Sequence, residues 1–161
     1  MRTSAGETCL FLASGKTVRS LPTSMPMCAR YAEGALVLID TDVLIWLFRG
    51  QPSARKAIDK ANSIELSAIT YIELVQDMRN KEEFRLLRQT IHEHEWEILP
   101  LSENISHRAT VYIENFALSH GLQLADALIA ASAVESGAAL LTANTRHYKV
   151  IPEIDLKMYR P

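Results

Sequence analysis

The chain has 161 residues, enough for one domain with a full core, and 48% of them are apolar, which places it among soluble globular chains. A net charge of −2 provides no general positive field, so a sequence-specific DNA reader is disfavoured and any polynucleotide would need local basic groups and metal ions to hold it. Both cysteines, Cys9 and Cys28, fall in the first 35 residues, which excludes thiolate metal sites, cysteine nucleophiles and a disulfide framework from the rest.

Residues 1–34 are rich in Ser, Thr, Gly and Pro and show no sustained period. They are expected to be a disordered extension, or the product of a start assigned too far upstream, since Met25 and Met27 stand just before the first strand. The longest apolar run there, Cys9-Leu10-Phe11-Leu12-Ala13, is too short for a signal-peptide core or a membrane span. With the cysteine pattern, this suits a cytoplasmic protein.

Residues 35–161 are expected to form one domain in which strands and helices alternate. Leu36–Asp40 is a continuous apolar strand of the kind buried on both faces of a parallel sheet. Val43–Phe48 predicts a short helix, and Ser53–Ala61 an exposed one. Ile64–Ala68 is a second strand, followed by helices over Thr70–Arg79 and Glu82–Glu95. Trp96–Leu99 is a third strand, closed by Pro100. Ser102 caps a long helix that Gly121 stops at His120. Leu124–Ser136 is a buried helix stopped by Gly137. Ala138–Thr142 and Ile154–Met158 complete the strands. The alternation predicts a three-layer α/β/α sandwich with a mostly parallel central sheet, whose ligands would sit outside the carboxyl ends of the strands.

Carboxylates mark that edge. Asp40 ends the first strand, directly after an apolar run. Asp42 follows where the next helix begins, and a helix cap or first-turn acid is its ordinary explanation. Glu73 completes a Thr70-Tyr71-Ile72-Glu73 capping box, yet a capping Glu still points towards the helix start. Asp126 interrupts an otherwise apolar helix in which only Ser132 is also polar from Leu124 to Val134. If it is buried, no Lys or Arg within two turns offsets its charge. The helix N-terminus contributes only ~0.5 kcal/mol against a burial cost of several. A divalent cation shared with Asp40 would resolve the deficit. Thr142 and Asn144 reach the same edge and can orient a carboxylate, a phosphate or water, or serve as ordinary turn residues. Oxygen-only ligands suit Mg²⁺ or Mn²⁺, and the chemistry that follows is hydrolysis of a phosphoryl ester. Among the histidines only His147 lies near this edge.

Four segments together resemble PIN-domain ribonucleases, specifically the VapC-like toxins of bacterial toxin–antitoxin pairs. They are Leu38-Ile39-Asp40-Thr41-Asp42-Val43-Leu44-Ile45, Ser67-Ala68-Ile69-Thr70-Tyr71-Ile72-Glu73-Leu74, Leu124-Ala125-Asp126-Ala127-Leu128-Ile129-Ala130-Ala131 and Leu141-Thr142-Ala143-Asn144-Thr145-Arg146-His147-Tyr148. The resemblance covers residues 36–161. It implies a Mg²⁺-dependent endoribonuclease with Asp40, Glu73 and Asp126 as catalytic metal ligands, supported by Asp42, Thr142, Asn144 and His147. It also implies a homodimer and a cognate antitoxin that blocks the site. The chain departs from the pattern at His147, where many members carry a further acid before the closing aromatic. Arg49, Arg79 and Arg146 are candidate contacts to the RNA backbone.

Two alternatives share parts of this pattern. Asp40-Thr41-Asp42-Val43-Leu44 also resembles the opening motif of haloacid-dehalogenase-like phosphatases, with Asp40 as nucleophile and Asp42 as general acid. That fold needs a later acid pair, and after Lys149 only Glu153 and Asp155 remain. A catalytically inactive PIN-like module used for binding is the second, for which His147 leaves room.

Overall fold

A computed structural model describes residues 36–161 of the protein. The extension expected over residues 1–34 lies outside the described residues. In chain order the elements are β1 (Leu36–Ile39), α1 (Thr41–Phe48), α2 (Pro52–Ile58), β2 (Ser63–Ser67), α3 (Ala68–Asp77) and α4 (Lys81–Glu93). Then come β3 (Glu97–Leu99), α5 (Glu103–His120), α6 (Leu124–Ser136), β4 (Ala139–Thr142), α7 (Thr145–Tyr148) and β5 (Leu156–Met158).

The strands form one sheet in the order β3-β2-β1-β4-β5, and all four pairings are parallel. β1 is central, and its apolar run is needed because both faces are covered. Leu38 points into one core with Ile105, Tyr112, Ile129, Leu140 and Tyr148. Val37 and Ile39 point into the other with Val43, Leu44, Leu66, Leu87 and Trp96. This is the alternation of a strand shared between two layers. In α6 the small side chains of Ala127, Ala130, Ala131 and Ala133 are all buried, which lets the helix lie close to its neighbours. Consecutive strands run outwards from β1 on one side and return on the other through β4. The strand order therefore reverses beside the carboxyl end of β1, the place where parallel sheets open a crevice.

The predicted stops hold. Ser102 accepts from the Ile105 amide (3.2 Å) at the start of α5, and Gly121 and Gly137 end α5 and α6 in the left-handed region (φ 71° and 70°). Three local expectations change. α3 begins two residues earlier than Thr70, because the Ser67 hydroxyl takes the Ile69 amide (3.2 Å) and caps the helix there. α2 is shorter than expected and not exposed all round, since Ala54 and Ile58 are buried against the second core. α7 was not anticipated in the stretch after Asn144.

Away from the crevice, Arg108 on α5 donates to Glu135 on α6 (2.6 Å) and to Glu153 in the loop before β5, which also accepts from Tyr112. Arg108 is about a third exposed and Glu153 about half, so the worth of the group is discounted for solvent screening. Arg108→Ala should lower stability by about 1 kcal/mol in urea titrations, with a smaller loss at high salt. RNA cleavage by this variant should stay at the parental rate.

Candidate active site

Asp40 stands at the carboxyl end of β1. Its amide donates to Leu141 of β4 (3.0 Å), which fixes it at the crevice, and it is only 5% exposed. Its Oδ1 accepts from the Thr41 amide (2.8 Å) as the cap of α1. Its Oδ2 accepts from the Thr142 hydroxyl (2.7 Å). Burial, reinforced by the charge of Asp42, pushes its pKa up to about 7, and the hydrogen bonds from Thr142 and Thr41 offset only part of this. The capping function considered for Asp42 thus falls to Asp40.

Asp42, in the first turn of α1, reaches across the crevice instead. Its Oδ2 accepts from the Ala143 amide (3.0 Å), just past β4. Burial raises its pKa as well, the backbone amides of Ala143, Asn144 and Val43 oppose that, and the charge of Asp126 adds to it. Its Oδ1 is buried without a hydrogen-bond partner.

Glu73 lies inside α3, and its Oε2 accepts from the Thr41 hydroxyl (2.6 Å). The capping-box explanation fails, because the cap is Ser67 and Thr70 sits buried within the helix. Glu73 is therefore turned towards β1 and α1, and Thr41 ties it to Asp40.

Asp126 opens α6 with its side chain 17% exposed. No partner comes from its own helix, as expected, but α7 supplies two. Its Oδ2 lies 2.7 Å from His147 Nδ1, and its Oδ1 accepts from the Tyr148 hydroxyl (3.3 Å). Burial near Asp40 and Asp126 pushes the Tyr148 phenol up, so it donates and does not ionise. In the tautomer protonated at Nδ1, His147 donates to the Asp126 carboxylate. Asp126 thus takes its partners from α7 and not from its own helix, and the acid most deprived of solvent is Asp40.

Thr142 and Asn144 both reach this edge, as expected. Thr142 donates to Asp40 and accepts from the Asn144 amide (2.9 Å). The Asn144 side chain lies 3.2 Å from His147 Nδ1.

Asp40, Asp42, Glu73, Asp126 and Asn144 line one cleft of about 370 Å³, with Ile45 and Ile129 as apolar wall. His147 and Thr142 stand behind this lining and hold it. Among the described residues no Lys or Arg lines the cleft, and Arg49, Arg79 and Arg146 are not part of its lining. Sequence reasoning missed Thr41, which bridges Asp40 and Glu73. It also missed Gln76 and Asp77, which line the cleft three and four positions after Glu73, a spacing that puts all three on one helix face.

The donors fit a hard cation in kind: oxygen atoms from separate elements, crowded like charges, and one buried oxygen left unpaired. Among the described residues, no three Cys, His, Asp or Glu side chains form a ready metal-holding group. The physical reason is visible: oxygens of Asp40, Glu73 and Asp126 are turned to Thr41, Thr142, His147 and Tyr148.

Residues 37–151 match the family described as PIN domain. "Ribonuclease VapC10" of Mycobacterium tuberculosis is 30% identical over 126 residues, spanning 74% of this chain and 90% of that protein. A toxin–antitoxin complex from Klebsiella pneumoniae is similar in structure, with TM-score 0.60 and 28% identity over 73% of this chain and 94% of that one. VapBC2 from Rickettsia felis, solved bound to a DNA fragment from its promoter, has the same fold. Its TM-score is 0.67 at 20% identity, over 78% of this chain and 99% of that one.

Proposed function

The chain belongs to the PIN domain family, alongside the VapC ribonucleases, and from that membership we propose that it is a divalent-metal-dependent endoribonuclease and the toxin of a toxin–antitoxin pair. The observation that carries the proposal is that Asp40, Asp42, Glu73 and Asp126, drawn from three separate blocks of the sequence, line one cleft at the carboxyl edge of the sheet. The haloacid-dehalogenase alternative is displaced by the family match. It also needs Asp42 as a mobile acid, whereas Asp42 is tied to the Ala143 amide.

Asp40, Glu73 and Asp126 would hold the cation, Mg²⁺ or Mn²⁺. When bound, it supplies charge neutralisation at the phosphate and lowers the pKa of an attacking water. Everything else is the work of the chain. Thr41 and Thr142 donate to Asp40 and Glu73 and keep the two acids oriented. His147 and Tyr148 do the same for Asp126. Together the acids repel a phosphodiester from an unloaded cleft, so RNA enters productively only when their charge is offset. Ile45 and Ile129 exclude water from one side.

The reading includes a cytoplasmic location, in keeping with described residues that contain no helix long and apolar enough to cross a membrane. It also includes a homodimer, from the family resemblance, and a small antitoxin partner, in line with the Klebsiella pneumoniae neighbour, which is a toxin–antitoxin complex. The test is induction of the chain in bacteria with and without the product of its neighbouring gene, with RNA ends mapped in both. Growth arrest with discrete new RNA ends, relieved by the neighbour, is the expected result. No cleavage of any RNA with Mg²⁺ or Mn²⁺ would leave the inactive binding module as the better account.

A further inference from the structure

The last block of the chain offers His147 where an acid was expected. The structure shows that His147 does not line the cleft; it is committed to Asp126 at 2.7 Å. Beyond Asp40, Glu73 and Asp126 the cleft nevertheless contains two further acids, Asp77 on α3 and Asp42 at the start of α1, and only Asp42 has a buried oxygen left unpaired among the described residues. Asp42 lines it, and its charge acts on Asp40 while that of Asp126 acts on Asp42.

The two oxygens of Asp42 differ. Oδ2 is anchored on the Ala143 amide at 3.0 Å, which holds the turn after β4 against α1. Oδ1 is buried and takes no hydrogen bond from the described residues. An anchoring role explains Oδ2 and leaves Oδ1 unaccounted for. A desolvated carboxylate oxygen with no partner, beside two more acids, is unfavourable unless something positive meets it. Among the described residues, no Lys or Arg of the cleft does so.

We propose that Asp42 supplies the fourth carboxylate of the metal centre, through Oδ1, in place of the acid that His147 replaces. The inference rests on the nuclease proposal and deepens it. It assigns Asp42 a place on the cation, and it leaves His147 as a positioning residue that orients Asp126.

Asp42→Asn separates the two roles. Its amide oxygen can still accept from Ala143, so an anchor survives, while the charge and the free oxygen are lost. Mn²⁺ binding to the purified protein, without RNA, is read by electron paramagnetic resonance of the free ion and by calorimetry. The expected result is an affinity at least ~10-fold weaker than the parent's, the scale seen when a metal site loses even an outer partner. The metal-free melting temperature should be unchanged or higher, because a crowded charge is gone. Parental affinity with a lowered melting temperature would overturn the proposal and leave Asp42 as an anchor only. Asp42→Ser, which removes the charge and both carboxylate oxygens without adding bulk, gives the same affinity comparison if the Asn variant folds poorly. If the parent itself binds neither Mn²⁺ nor Mg²⁺, the metal-dependent nuclease reading fails, and this inference with it. If the parent binds and the variants bind equally, only this inference fails.

Discussion

Asp40→Asn is expected to lose RNA cleavage by at least ~10³-fold, the scale of removing a preorganised charge from a reacting centre, and yet to make the metal-free protein more stable at pH 8. The folded pKa of Asp40, about 7, lies above that of an unfolded Asp. Stability associated with the neutral form is therefore complete below pH ~4 and is lost as pH rises through about 7. Over that window the unfolded chain releases its proton first, and burial penalises the folded carboxylate. Three pKa units correspond to roughly 4 kcal/mol at most. The amide recovers only part of this, since it cannot accept from both Thr41 and Thr142 as the carboxylate does. A net gain of about 1–3 kcal/mol, or roughly 5 °C in melting temperature, is expected at pH 8. Near pH 4 the gain should vanish. Melting curves of both proteins at the two pH values check this. A variant clearly less stable than the parent at pH 8 would mean that the Asp40 charge is already compensated without metal.

Asp126→Asn should also abolish cleavage and growth inhibition, by a different route. The amide can still accept from His147 Nδ1, while the hydrogen bond from Tyr148 is weakened. The metal-free fold should therefore survive within about 1 kcal/mol. The difference should appear on adding Mg²⁺ or Mn²⁺. A ligand that binds only the folded state stabilises it by about 2.7 kcal/mol at one hundred times its dissociation constant. The parent should gain that increment, and Asp126→Asn should gain little of it. Cleavage at the parental rate by either the Asp40 or the Asp126 variant would remove that residue from the metal centre.

Much of the site was legible because its markers are local. An acid directly after Leu36–Ile39 must sit at the carboxyl edge of a buried strand. An acid in the first turn of an alanine-rich helix must lie near the same crevice. Glu73 was ambiguous for a local reason: Thr70 and Glu73 have capping spacing, and nothing in the sequence says that Ser67 caps first. The partners of Asp126 were not legible because they lie 21 and 22 positions away, on a short helix with no periodic signal. Asp42 was undervalued because its partner amide is 101 positions distant.

The sequence by itself determined the alternation of elements, the stops at Gly121 and Gly137, the cap at Ser102, the parallel sheet and the acids at its edge. Each depends on periodicity or on backbone geometry within a few residues, which the chain carries wherever it goes. Only the tertiary structure decided which acid is stripped of solvent, which oxygens are already taken and which one is left over. Desolvation and hydrogen bonding depend on what packs against a group. For Asp40 that is Thr142, for Asp126 it is α7, and for Asp42 it is the Ala143 amide on one oxygen, while the other has no hydrogen bond from the described residues.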